Sequence, residues 1–205
     1  FVTALLILML RRPAERWQLV DVPGGRKRHA APVAVTGGVA ITSAMLVALA
    51  ASFSAFGQYA AFFVGAVILA TTGLLDDLGE VSAGTKMLIQ VFVAVLMTSG
   101  GANFLINLGN LFATDPINTR LWGIPLTVFA TVAVINAINM FDGLDGLAGS
   151  LALVMLAFFA MFALVIGDLN AAKIIIVLAG AVVGFLFFNL PWSLRGEHRT
   201  FMGDA

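Results

Sequence analysis

Charged side chains along this chain are separated by long stretches that contain none, and several of those stretches have the length of one bilayer crossing. Residues 121–141 run 21 positions without a charge, 146–167 run 22, and 174–194 run 21. Residues 30–75 carry none for 46 positions, room for two helices with a break near 52–59 ("SFSAFGQY"), and 87–114 supply a further helix plus a loop. About 20 apolar residues in a helix span the hydrocarbon core. The pattern therefore predicts a partial helix over 1–10 ("FVTALLILML", halted by Arg11 and Arg12) and helices near 33–53, 58–75, 86–102, 121–140, 147–167 and 172–190. Lipid offers the backbone no hydrogen-bond partner, so only helices and closed barrels cross it, and these runs are too long for barrel strands. The expected fold is all-α: a polytopic integral membrane helical bundle of about seven transmembrane helices. It forms one membrane-embedded domain over 1–205, expected to be incomplete at both ends because the chain opens inside an apolar run and stops at "FMGDA".

Composition agrees with that pattern: 60% of the 205 residues are hydrophobic, 11% are charged, and mean hydropathy is +1.03. A soluble domain of this size has no use for so much apolar surface. The absence of cysteine excludes a disulfide framework and thiolate-based metal or redox chemistry. Net charge is zero, yet the charges are segregated. Alternating helices place 11–32, 76–85, 141–147 and 191–205 on one membrane face. Nine of the eleven basic residues fall there, among them Arg11, Arg12, Arg16, Arg26, Lys27, Arg28 and Lys86, and only Arg120 and Lys173 fall opposite. That bias makes the first face cytoplasmic. Nine of the eleven acids gather on the same face, a clustering that orientation alone does not require.

Four stretches on that face could carry chemistry. "TTGLLDDLGE" (71–80) ends a helix with Asp76 and Asp77, where the helix dipole disfavours anions. The pair needs a cation, either Lys86 or a divalent metal. On a helix the two carboxylates point about 100° apart and cannot share one face. "NAINMFDGLDGLAGS" (136–150) sets Asn136, Asn139, Asp142 and Asp145 three residues apart. Steps of three drift around an α-helix, so this rhythm is expected to end a helix near Met140 and turn at Gly143 and Gly146. "DVPGGRKRHAAPVAVTGG" (21–38) joins a basic run to a glycine-rich helix start. It suits anionic lipid and orientation as well as it suits a phosphate. "FMGDA" (201–205) adds Asp204, which says little alone. Hard oxygen ligands without cysteine favour magnesium or manganese, which use one or two carboxylates and leave other positions to water and phosphate. The residues thus point to phosphoryl chemistry at the cytoplasmic membrane surface.

Taken together, "LLDDLGE", "NAINMFDGLDGLAGS", "RKRHAAPVAVTGG" and "FMGDA" resemble the polyprenyl-phosphate N-acetylhexosamine-1-phosphate transferases. Within that superfamily, "LGNLF" (108–112) and His29 look closer to the bacterial undecaprenyl-phosphate GlcNAc-1-phosphate transferases of glycosyltransferase family 4 than to the phospho-MurNAc-pentapeptide translocases. The resemblance covers essentially the whole chain. It implies a Mg2+-dependent enzyme (Mn2+ as a substitute) that transfers a sugar-1-phosphate from a UDP-N-acetylhexosamine to undecaprenyl phosphate and releases UMP. That would be the first membrane step of a cell-envelope polysaccharide such as O-antigen. It also implies a multi-pass protein of the bacterial inner membrane with its active site on the cytoplasmic face, a homodimer as an admissible assembly, and no nucleic-acid partner. By position, Asp76, Asp77, Asp142 and Asp145 match the catalytic motifs. Lys27, His29, Lys86, Asn136 and Asn139 match the substrate-binding positions, and Asp77 with Asp204 the metal. A later cytoplasmic loop rich in histidine or arginine, expected to help bind the sugar nucleotide, lies beyond the last residue.

Two other classes fit the chain less well. Transporters keep ionisable groups near the bilayer midplane, whereas here the helix middles carry no charge. The CDP-alcohol phosphotransferases need Ala-Arg shortly after their first Asp-Gly, and Leu147-Ala148-Gly149 does not supply it.

Overall fold

The computed structural model describes residues 1–21, 33–50, 59–79, 81–101, 104–110, 115–190 and 199–204. Seven α-helices account for most of them: α1 Val2–Arg16, α2 Gly37–Ala50, α3 Ala60–Leu78, α4 Ala83–Gly101, α5 Gly123–Phe141 (entered through a 3-10 turn, Arg120–Trp122), α6 Leu147–Val165 and α7 Leu169–Asn189. Among the described residues four stretches are long and apolar enough to cross a membrane: 60–78, 120–141, 147–165 and 169–189. The apolar parts of α2 and α4, 37–48 and 83–99, are shorter. The all-α membrane bundle expected from the hydrophobic pattern is thus the architecture found.

The helix α7 is the hub. It packs along α6 and also against α1 and α2, and its Phe185 and Phe188 are fully buried beside Ile7, Ala40, Ile41, Ala44 and Val182. Small residues let these backbones approach, as is usual where lipid removes any hydrophobic drive between helices. A Cβ on Gly37 of α2 would collide with the Phe185 ring. Elsewhere in the bundle α3 packs on α4 and α4 on α5, and α5 exposes Phe129, Val134 and Met140. At one end of the bundle Asp168 caps α7 by accepting from the Ala171 amide (2.9 Å). Its other oxygen accepts from the Tyr59 hydroxyl (3.2 Å), which ties the start of α7 to the start of α3.

Three differences from the sequence expectation matter at the opposite end. First, α3 ends at Leu78 rather than near residue 75, which keeps Asp76 and Asp77 in its last turn, at the helix C-terminus where the sequence puts them. Second, α1 runs on past Arg11, Arg12 and Pro13 to Arg16, because at a membrane end charge does not stop a helix that water can solvate. Third, a small sheet joins distant parts of the chain. Strand β1 (Val20–Asp21) lies antiparallel to β2 (Val33–Val35), and β2 lies parallel to β3 (Thr200–Phe201), with Ala34 opposite Thr200 and Val35 opposite Phe201. Strands this short carry no period-2 signal in sequence. Buried Thr200 locks the sheet: its hydroxyl donates to the Ala34 carbonyl (2.9 Å) and lies 2.9 Å from the Thr36 hydroxyl.

Candidate active site

All three strands, the last turn of α3, the end of α5 and the turn from α5 to α6 surround one cleft of about 730 Å³. Asp21, Asp77, Asp142, Asp145, Asp204, Asn139 and Arg199 line it, with Val20, Val35 and Phe201 forming an apolar side.

Asp204 is the junction of the site. Its backbone amide donates to both oxygens of Asp77 (3.1 and 3.2 Å). Its own carboxylate accepts from Asn139 Nδ2 at Oδ1 (2.9 Å) and from Lys86 Nζ at Oδ2 (2.6 Å). Lys86, in the first turn of α4, also pairs with Asp76, whose Oδ1 accepts from the Val81 amide (2.8 Å). Adjacent Asp76 and Asp77 therefore diverge as helix geometry demands, Asp76 toward Lys86 and α4, Asp77 into the cleft. Hydrogen bonding with the Asp76 carboxyl, and after it with Lys86 and Asn139, holds Asp204 down to about 2 against the opposing effect of burial.

The turn between α5 and α6 supplies the other acids. The helix α5 stops at Phe141, and Gly146 takes a left-handed conformation (φ +75°) that starts α6. The turn is anchored from below by Asn189, the last residue of α7, which is 3% exposed. Asn189 Oδ1 accepts from the Gly146 amide (2.6 Å), and Nδ2 donates to the Thr200 carbonyl (2.9 Å). One side chain thus joins the turn to β3. Within the turn, Asp145 pairs with Arg199. Asp142 is half-buried; its backbone amide donates to the Asn139 carbonyl (3.2 Å), while its carboxylate has no hydrogen bond or ion pair among the described residues. Burial pushes its carboxyl up to about 6, aided by the nearby charges of Asp204, Asp145 and Asp77.

Of the residues singled out in sequence, Asp76, Asp77, Lys86, Asn139, Asp142, Asp145 and Asp204 come together at this end of the bundle. Asn136 lies elsewhere. It donates to Gln90 Oε1 on α4 (2.7 Å) and to the Val132 carbonyl (2.8 Å), a helix-to-helix contact beyond the cleft lining. Asn136 lies about 4.5 Å further back along α5 than Asn139, out of reach of the cleft at the helix end and beside α4. Lys27 and His29 fall outside the described residues. Sequence reasoning missed Arg199 and Asn189. A lone arginine before "TFMGD" carries no spacing signal, whereas an asparagine closing the apolar run "FLFFN" could have been flagged as a buried polar group.

Gly203 sets the position of Asp204. Its φ is +76°, and a Cβ there would meet Val35 and come within 2.5 Å of Asp77 Oδ2. Gly203→Ala is expected to cost about 1–3 kcal/mol through backbone strain and to displace Asp204 from Asp77. A thermal unfolding midpoint and a turnover rate both unchanged by the substitution would refute this account.

Among the described residues no three His, Cys, Asp or Glu side chains sit close enough to hold a metal by themselves. The carboxylates of Asp77 and Asp204 are hard oxygens, and two is a number that magnesium takes from protein when phosphate and water complete its shell. They do not suit zinc.

The profile of glycosyl transferase family 4 matches residues 59–205. Along its whole length the chain is 32% identical to the undecaprenyl-phosphate alpha-N-acetylglucosaminyl 1-phosphate transferase of Haemophilus influenzae, covering 58% of that protein. It is 30% identical to the protein of the same name from Escherichia coli K12 (99% of this chain, 55% of the relative) and 28% identical to that of Yersinia pestis (97% and 54%). The chain therefore spans a little more than half the length of these curated relatives. With the helical bundle, the acidic cleft and a profile match over most of its length in agreement, the chain belongs to glycosyl transferase family 4.

Proposed function

We propose that this chain carries the catalytic cleft of a glycosyl-1-phosphate transferase. The enzyme moves GlcNAc-1-phosphate from UDP-GlcNAc to undecaprenyl phosphate and releases UMP, on the cytoplasmic face of a bacterial inner membrane. The observation that carries this reading is the meeting of Asp77, Lys86 and Asn139 on Asp204, in an acidic cleft at the end of membrane-length helices. Such a cleft suits a reaction between a membrane-bound phosphate and a water-soluble diphosphate, each needing charge neutralised before they approach.

In the proposed reaction an oxygen of the lipid phosphate attacks the sugar-bearing phosphorus of the UDP-sugar. The bond to that phosphorus from the bridging oxygen breaks, and the oxygen leaves with UMP. Asp77 and Asp204 would hold a magnesium ion. When bound, it supplies charge neutralisation on the diphosphate and on the leaving phosphate. Asn139 and Lys86 each occupy one oxygen of Asp204, fixing its rotamer and limiting repulsion between it and Asp76. Asp142, whose carboxylate is unpartnered among the described residues, would face the incoming lipid phosphate headgroup. No covalent phospho-aspartate is needed.

The test is UMP release by the full-length protein in detergent from UDP-GlcNAc, with and without undecaprenyl phosphate and magnesium. Release should require both additions. Release that ignores the lipid phosphate would make the protein a nucleotide-sugar hydrolase instead, and trapping of a phosphorylated aspartate with UDP-GlcNAc alone would overturn the one-step reaction.

A further inference from the structure

The cleft is strongly acidic for a site that receives phosphates, and Arg199 is the basic residue among its described lining. Its placement is determined by the sheet. Thr200 points inward and is 1% exposed, so the flanking Arg199 and Phe201 turn to the opposite side, where both line the cleft. The guanidinium stands 5.9 Å from the centre of the Phe201 ring, a platform that orients it. One terminal nitrogen pairs with Asp145. The Nε–H is buried and has no hydrogen-bond partner among the described residues. The edge that Nε shares with Nη2 is closed to a ligand, Nε by burial and Nη2 by Asp145, which leaves Nη1 as the donor that a phosphate can reach.

We propose that Arg199 is the phosphate-binding cation of this cleft, taking a phosphoryl oxygen at Nη1 while Asp145 holds the guanidinium in place through Nη2. The assignment rests on the transferase reading above for the identity of the phosphate, which is either the donor diphosphate or the lipid phosphate. It adds a binding residue that neither the paired-aspartate nor the Asn/Asp motif contains. Asp145 then acts on the substrate through Arg199 and is a positioning residue.

The experiment uses the full-length protein in detergent, with Arg199→Met and Arg199→Lys beside the wild type. UMP release is measured while UDP-GlcNAc is varied at fixed undecaprenyl phosphate, then with the roles exchanged. Arg199→Met should raise one of the two KM values by about 10- to 100-fold, the equivalent of losing hydrogen bonds to a charged group. Arg199→Lys, which keeps the charge but not the planar guanidinium held by Asp145 and Phe201, should recover only part of the loss. Whichever KM moves identifies the phosphate held. A fall in kcat with both KM values within about twofold of wild type would make Arg199 a strut for Asp145 and overturn the proposal, as would unchanged kinetics. A second arm needs no turnover: pyrophosphate should raise the thermal midpoint of the wild type and not that of Arg199→Met. If the wild type releases no UMP, the transferase reading fails while this arm still decides the role of Arg199. Equal shifts in both proteins, or none in either, would overturn it.

Discussion

Asp204→Asn is expected to lower turnover by at least about 10²–10³-fold, the scale on which single electrostatic groups at a reacting centre act. The substitution keeps the backbone amide that donates to Asp77 and keeps an oxygen that can accept from Asn139. It removes the negative charge that faces Lys86 and that would face a magnesium ion. Lys86 would then pair with Asp76 alone. The loss should therefore appear in kcat and in the magnesium concentration needed for half activity, with the helical content unchanged. Near-normal turnover with the same magnesium dependence would remove Asp204 from the centre of the site. The acid limb of stability supplies an independent check. Asp204 ionises near 2 in the fold against an ordinary 3.8. It therefore contributes stability that is present above the unfolded value and is lost as the pH falls toward 2. Any stability difference between the wild type and Asp204→Asn should close over that interval, and a difference that widened there would contradict the assignment.

Asn189→Leu should be the most damaging substitution outside the carboxylates. Leucine has a similar volume and suits the apolar surroundings of α7, yet it deletes both hydrogen bonds that tie the α5–α6 turn to β3. The Gly146 amide and the Thr200 carbonyl would lose these partners in a buried setting, at about 1–3 kcal/mol for each group left unsatisfied. Turnover should fall too, because Asp142 and Asp145 ride on that turn while Arg199 and Asp204 flank that strand. Asn189→Asp is an informative companion. It preserves the acceptor for Gly146, removes the donor to Thr200 and buries a charge, so it too should be destabilised. Thermal midpoints of both variants within about 1 °C of the wild type would mean that the turn and the strand are held together by something else.

What could be read along the chain and what could not divides by distance in sequence. Membrane helices are written locally: an interval without charge of about 20 residues answers to the thickness of the hydrocarbon layer, and no knowledge of the neighbours is needed. The intervals over 121–141, 146–167 and 174–194 accordingly correspond to α5, α6 and α7. Their ends were less legible. Charge is a weak stop signal: at a membrane boundary α1 carries Arg11 and Arg12 for another turn into water. The three-residue rhythm of Asn136, Asn139, Asp142 and Asp145 marks a helix end rather than one face, and α5 stops at Phe141. Placing Asn136 against Gln90 required knowing that α4 lies beside α5.

The sequence by itself determined the class of the protein, the family to which it belongs, and the kind of ligand atoms available: carboxylates and amides in short motifs, with no thiolate. Those are properties of composition and local order. Only the tertiary structure decided which carboxylate meets which partner. Asp204 reaches Asp77, Lys86 and Asn139 across 127, 118 and 65 residues of chain. The sheet that aims Arg199 pairs segments 166 residues apart. Contacts of that range leave no periodicity behind, because nothing in the spacing of the intervening helices encodes which ends will meet. They arise from packing around α7, and the buried Asn189 converts that packing into the geometry of the cleft.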